Sequence, residues 1–162
     1  MDKPIIKNLD PKKLLGQRVK TSLAEDKTYT LWNKFMKRRK EITSPVNNYL
    51  YSVQVYDKGF LKGEFTPKSI FEKWATTEVA SYNDIPEGFE KMDLPGGLYA
   101  VFIHKGTAKD FAHTAQFIFE EWIPKSEYEL DDRPHFEILD EKYKGPDNKE
   151  NEEEVWIPIR KI

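Results

Sequence analysis

The chain lacks the cysteine and histidine patterns and the glycine-containing motifs that mark many catalytic and metal sites. The 162 residues include no cysteine, which excludes thiol catalysis, disulfides and cysteine-ligated zinc sites. The only histidines, His104, His113 and His135, are scattered over two predicted strands and a predicted helix, without an HxxxH pair. No phosphate loop, GxGxxG or GxSxG motif occurs either. The sequence therefore predicts neither a metal site nor a bound cofactor.

Glu137 is the carboxylate whose neighbours suggest a defined environment. In a predicted strand, Phe136 and Ile138 share one face, so Glu137 points to the other face with His135 and Leu139. A carboxylate in an apolar site must be paired or must take up a proton. Ionised, it attracts a cation, and protonated, it can act as a general acid. The alternation alone favours a solvent-facing residue instead, because buried carboxylates are uncommon.

Aromatic side chains are the second group of residues that could form a ligand site. They make up 14% of the residues, although only 38% are hydrophobic, and rings suit both cores and ligand pockets. Tyr51, Trp74, Tyr99 and Trp156 lie on predicted strands, whereas Trp32 lies on the apolar stripe of a predicted helix, a position more typical of a core. Trp156 faces away from the apolar residues on either side of it. Because an exposed tryptophan ring is costly, Trp156 must either be covered by another part of the protein or line a cleft.

These residues must be positioned by two helices and six strands, in the order β-α-β-β, connector, β-α-β-β. Apolar periodicity and the glycine and proline breaks give this order. The predicted strands cover 14–22, 49–56, 70–80, 97–104, 134–139 and 155–160, the helices cover 28–40 and 107–122, and the connector covers 81–95.

The repeated order predicts one α+β domain over residues 1–162, with halves at about 12–82 and 95–162. Two such units give a mixed or antiparallel sheet covered by both helices. A pseudo-twofold arrangement would leave a ligand cleft between the halves, where pockets are common.

Charge and hydropathy argue against nucleic-acid and membrane functions. The formal net charge is -2, with 26 basic and 28 acidic residues, so no broad positive field exists for a phosphate backbone. The basic cluster 37–40 is interpreted as cations at a helix C-terminus. No stretch resembles a signal peptide or a membrane span, and we expect a cytoplasmic protein.

Three stretches of the second half occur in a specific order, namely LPGGLYAVFIHKG, EEWIPKSEYELDDRPHFEIL and EEEVWIPIRKI. The first half contributes LLGQRVKTS, LWNKFMKRRKEI and YSVQVY. Together these segments resemble the GyrI-like family, which is also found as the effector-binding domain of AraC-type and MerR-type regulators. The resemblance covers nearly the whole chain. It implies two β-α-β-β halves around an aromatic cleft for bulky, often cationic or planar organic molecules, with an acidic residue at the position of Glu137.

The resemblance leaves three functions open. The first is a binding module, a sensor or sequestering protein for hydrophobic molecules, with Glu137 as ligand contact together with Trp156, Trp74, Tyr51, Tyr99 and Trp32. The second is a hydrolase of cyclopropane-containing genotoxic natural products, with Glu137 as catalytic acid or water-orienting group. The third is gyrase inhibition, although no gyrase contact surface is recognisable and the protein partner is unknown. Because only residues 1–13 precede the first predicted strand, we expect a stand-alone form without direct DNA binding.

Overall fold

The computed structural model describes all residues, Met1–Ile162, and is built around one nine-stranded antiparallel sheet. The strands are β1 Ile5–Leu9, β2 Lys12–Thr21, β3 Leu50–Val55, β4 Phe71–Glu78, β5 Glu90–Leu94, β6 Gly97–Lys105, β7 Tyr128–Leu130, β8 His135–Leu139 and β9 Glu152–Lys161. The helices are α1 Thr28–Arg38, α2 Lys58–Leu61, α3 Phe111–Gln116 and α4 Ile123–Lys125, with a 3₁₀ turn at Arg39–Glu41 and a π-helical segment at Phe117–Trp122.

The strand order is β1-β6-β9-β8-β3-β4-β2-β5, with β7 paired to β9 beside this path. The two halves of the chain meet at the β3–β8 pair, where Ser52 lies opposite Glu137 and Val53 lies opposite Phe136. Because side chains alternate across a strand, this register places Ser52 and Glu137 on one face of the sheet, and Val53 and Phe136 on the other. We call these the helix face and the inner face.

A long kinked ladder also joins the two halves. Leu9 of β1 pairs with Gly97 of β6, and Lys12 of β2 pairs with Leu94 of β5. The two strand pairs share one antiparallel register, so β1 followed by β2 and β5 followed by β6 form a single ladder that bends at residues 10–11 and 95–96. The sheet therefore curls around its inner face. Ten buried apolar residues fill this curl, and they are Leu9, Leu14, Tyr51, Val53, Trp74, Leu94, Tyr99, Val101, Phe136 and Trp156.

The helices cover the opposite face of the sheet. In α1, Leu31 and Phe35 lie one turn apart and pack on β2 and β4, because their spacing places both on one side of the helix. Before α3, the backbone N–H of Thr107 donates to Asp110 Oδ2 at 2.9 Å, as in a capping box. Ile118 of the π-helical segment packs on β6 and β9.

The α+β class and the antiparallel sheet with helical cover are confirmed. Three strands, β1, β5 and β7, were not predicted, and β5 lies within the predicted connector 81–95. Pro124 does not end the second helix at Trp122, since helical backbone continues without a break through α4 to Lys125. The pseudo-twofold symmetry stays a prediction. No helix combines the length and apolar character that crossing a membrane would require.

Candidate functional site

A cleft of about 1610 Å³ opens on the helix face of the sheet. Trp32 and Met36 of α1 line one side, whereas Phe111 and Phe119 from the second helical region line the other. The floor consists of residues from β3, β4, β8 and β9. Such a volume exceeds that of most pockets for drug-sized molecules. The cleft can therefore hold a bulky organic ligand.

Three buried polar residues lie together on this floor. Glu137 on β8 accepts a hydrogen bond from Gln54 Nε2 on β3, with 2.9 Å between Nε2 and Oε1. Lys73 on β4 lies directly opposite Gln54 in the sheet register, and its Nζ is 3.8 Å from the same Glu137 oxygen. The exposed fractions are only 9% for Glu137, 8% for Lys73 and 7% for Gln54. The antiparallel register therefore places a carboxylate, an amide and an ammonium side by side.

A second carboxylate, Glu153 on β9, also lines the cleft. Burial and, after it, the charge of Glu137 raise the pKa of Glu153 to about 7, while Lys73 opposes the rise. Burial also raises the pKa of Glu137, against the opposing effects of Lys73 and the Gln54 hydrogen bond. Since one ammonium faces two carboxyl groups, the floor can hold a proton or attract a cation.

Aromatic rings close one end of the cleft. The Tyr56 and Phe60 rings stack with centroids 4.1 Å apart, and the Phe60 ring is 5.6 Å from that of Phe119 in an edge-on arrangement. Phe60 is held there by α2, where Asp57 caps the helix by accepting a hydrogen bond from Gly59 N. His135 packs edge-on against both Tyr56 and Phe60. Burial lowers the pKa of His135 to about 3, so its ring is neutral.

Two of the six residues expected at the ligand site lie in this cleft, namely Glu137 and Trp32. The other four lie on the inner face and do not line the cleft; they are Tyr51, Trp74, Tyr99 and Trp156. The reason is the strand alternation itself, because each of these residues is out of phase with Glu137 in the paired register. The curled sheet supplies the cover that Trp156 needs.

These four residues belong to the buried cluster of the inner face. The Trp156 ring stacks on Phe136 at a centroid distance of 5.3 Å, and the Tyr99 ring is 5.4 Å from Phe136. The indole N–H of Trp156 donates to Glu154 Oε1 at 3.0 Å, so the polar atom is satisfied at the edge of the cluster.

Five residues of the cleft were not among the predicted site residues, namely Gln54, Tyr56, Phe60, Lys73 and Phe119. Alternation along the chain places Gln54 in phase with Ser52 and Lys73 out of phase with Trp74, but only the pairing of β3 with β8 and β4 brings these positions to Glu137. No set of three or more histidine and acidic side chains has an arrangement that could hold a metal ion.

A family model described as the GyrI-like small molecule binding domain matches residues 2–160. Among curated proteins, the transcriptional regulator BrlR of Pseudomonas aeruginosa is 28% identical over 149 residues, which are 90% of this chain and 51% of BrlR. The chain thus spans about half the length of that relative.

Solved structures share the fold at low sequence identity. The structure of SAV2435 bound to tetraphenylphosphonium superposes with a TM-score of 0.73 at 12% identity, covering 99% of this chain and 94% of the other. The C-terminal domain of EcmrR gives a TM-score of 0.69 at 17% identity, covering 98% and 97%. With the family match over nearly all residues, these findings lead to one conclusion. The chain belongs to the GyrI-like family of small-molecule binding domains.

Proposed function

We propose that the cleft binds bulky aromatic molecules, planar or cationic, with Glu137 as the main anionic contact. The observation that carries this proposal is a buried carboxylate on the floor of a cleft of about 1610 Å³ with aromatic walls. Apolar rings provide the area that is removed from water on binding, and the polar floor orients the ligand.

Electrostatics favour a positive charge on the ligand. Glu137 and Glu153 together offer two carboxyl groups, whereas Lys73 is the ammonium that lies within ion-pair distance of Glu137. In a site shielded from water, an excess negative charge attracts a cation more strongly than it would at the surface. The ring of Trp32 adds a face on which a delocalised cation can rest. The bulky aromatic cation named with SAV2435 has this chemistry.

The biological role that we infer is sensing or sequestering such compounds. Both roles need the same binding step, so binding is the quantity to measure first. Trp32 is the only tryptophan that lines the cleft, and it provides a local fluorescence signal.

The first experiment titrates the protein with tetraphenylphosphonium and with uncharged triphenylphosphine oxide while tryptophan emission is recorded. We expect quenching by the cation, its loss in Trp32→Phe, and its retention in Trp156→Phe, whose indole lies on the inner face. Quenching that persists unchanged in Trp32→Phe would show that the compound binds outside this cleft.

The isosteric variant Glu137→Gln tests the charge. At about 5 Å and an effective dielectric constant of about 20, one charge pair is worth about 3 kcal/mol. Lys73 is present in both proteins, so its repulsion cancels in the comparison, and we expect affinity for the cation to fall about a hundredfold and affinity for the neutral oxide to change little. The exposed Glu127→Gln is the matched control and should bind like wild type. Equal affinity of Glu137→Gln and wild type for the cation would refute the role of Glu137.

Hydrolysis is the second candidate, and one observation favours it. Burial raises the pKa of Glu137, so this carboxyl group can carry a proton to a bound substrate as a general acid. Incubation with a cyclopropane-bearing electrophile, followed by mass spectrometry, tests this. A water-adduct product that disappears in Glu137→Gln while binding is retained would support hydrolysis. Recovery of the intact compound from wild type would leave binding as the function.

A further inference from the structure

Lys73 is a buried residue that carries an ammonium group on the floor of the cleft. The residue is 8% exposed, and its side chain lies on the helix face, opposite Gln54 in the β3–β4 register. Lysine is almost never this buried unless it is paired, because removing its charge from water is costly. Its ion-pair partner is Glu137, but the distance from Nζ to Oε1 is 3.8 Å, which is longer than a hydrogen bond.

The geometry leaves hydrogen-bonding capacity on Lys73 unused. An ammonium has three donors, and the nearby Glu137 oxygen already accepts the short 2.9 Å bond from Gln54 Nε2. Lys73 also lines the cleft, so its donors are available to a ligand. A buried donor gains most from an acceptor that carries negative charge, because such hydrogen bonds are about twice as strong as neutral ones.

The charges on the floor are therefore of both signs. A ligand with only a positive charge gains the attraction of Glu137 and Glu153 but meets the repulsion of Lys73 beside them. A ligand that carries a cation and an anionic oxygen on one aromatic body can place each charge next to its opposite. This arrangement of charges weakens the binding of purely cationic ligands and strengthens the binding of ligands that carry both charges.

We propose that Lys73 is a specificity-determining residue of the cleft, which selects zwitterionic aromatic molecules over aromatic molecules that carry only a positive charge. This inference rests on the proposed binding function and names its ligand class. Lys73 receives the anionic oxygen of the ligand, and the carboxyl groups of Glu137 and Glu153 face its cationic part.

Rhodamine B and its ethyl ester form a matched pair of probes. They share one cationic xanthene ring system, but rhodamine B also carries a carboxylate at pH 8, whereas the ester does not. Fluorescence anisotropy gives both dissociation constants under identical conditions. We expect wild type to prefer rhodamine B by about tenfold, the value of one charge-assisted hydrogen bond of about 1.4 kcal/mol.

The variant Lys73→Met keeps the length of the side chain and removes its charge. It should bind rhodamine B about tenfold more weakly and the ester more tightly, so that the preference reverses. The exposed Lys125→Met should keep the wild-type ratio. Because Lys73→Met leaves Glu137 without its counter-ion, the double variant Lys73→Met/Glu137→Gln removes both charges and should likewise show no preference for rhodamine B. Thermal unfolding of each variant verifies that it is folded.

The outcomes separate this inference from the proposed function. If neither dye binds wild type, the binding proposal fails, and the inference fails with it. If both dyes bind but the ratio is the same in wild type and in the folded Lys73 variants, the specificity role of Lys73 is overturned while the binding function stands. A wild-type preference for rhodamine B that is lost on removing Lys73, in the single or the double variant, supports the inference.

Discussion

Replacing Glu153 by glutamine should stabilise the protein at pH 8 and leave its stability at pH 4.5 nearly unchanged. Burial, and after it the negative charge of Glu137, raises the pKa of Glu153 from its ordinary value of 4.5 to about 7. The folded state therefore binds a proton at Glu153 that the unfolded state has already released. Glutamine is uncharged at every pH, so it avoids the cost of ionising this position.

The size of the effect follows from the two pKa values of Glu153. Below pH 4.5 the group is protonated in both states, and folding loses nothing. Between pH 4.5 and 7 the unfolded state ionises first, and stability falls as the pH rises. Above pH 7 the loss is complete and corresponds to about 3 kcal/mol, at about 1.4 kcal/mol for each pH unit between the two values.

Urea unfolding followed by tryptophan fluorescence at pH 4.5, 6 and 8 measures this difference. Glu152→Gln is the control, since Glu152 is the preceding residue on β9, is exposed and pairs with Lys105 at the surface. Its effect should stay below about 0.5 kcal/mol at each pH. The other charged groups around Glu153 are Glu137 and Lys73, and both are retained. An equal difference in unfolding free energy between Glu153→Gln and wild type at pH 4.5 and pH 8 would show that folding does not raise the pKa of Glu153.

Two further predictions concern the cleft and the sheet. Affinity for rhodamine B ethyl ester, measured by anisotropy, should rise up to about tenfold between pH 6 and 8, because the cation favours ionised Glu153, and Glu153→Gln should flatten this rise. Gly16→Ala should destabilise the fold by more than about 3 kcal/mol in urea unfolding, because its Cβ would overlap the Ala75 carbonyl oxygen on the paired strand β4. A pH-independent affinity, or an alanine variant as stable as wild type, would contradict these two accounts.

Strand alternation in the sequence was sufficient to group Glu137 with His135 and Leu139, and all three line the cleft. Alternation separates two faces of a strand but does not say which face the helices cover. Trp156 illustrates this limit, because an apolar ring can be covered either by a ligand or by the sheet itself. Here the curl of the sheet covers it, and this curl depends on β1 and β5, which are short strands with mostly exposed side chains.

The remaining site residues depend on contacts between distant parts of the chain. Lys73 and Gln54 look like ordinary polar strand positions until β8 places Glu137 beside them, through a pairing that joins residues 83 positions apart. Phe60 lies between the strands predicted at 49–56 and 70–80, and its contacts with Phe119 and His135 from the second half bring it to the cleft. Local periodicity carries no information about such pairings.

The kinked ladder has a consequence for how the molecule can be divided. Strand β1 precedes the first half in the chain but pairs with β6 of the second, and β5 precedes the second half but pairs with β2 of the first. If the chain were cut between β4 and β5, each of the two pieces would contain one strand whose pairing partner lies in the other piece. Neither piece could complete its own set of backbone hydrogen bonds, and reassembly would require both β1 and β5 to pair with the other piece. The two halves are therefore interlocked segments, unlike a pair of modules that can be separated at a linker.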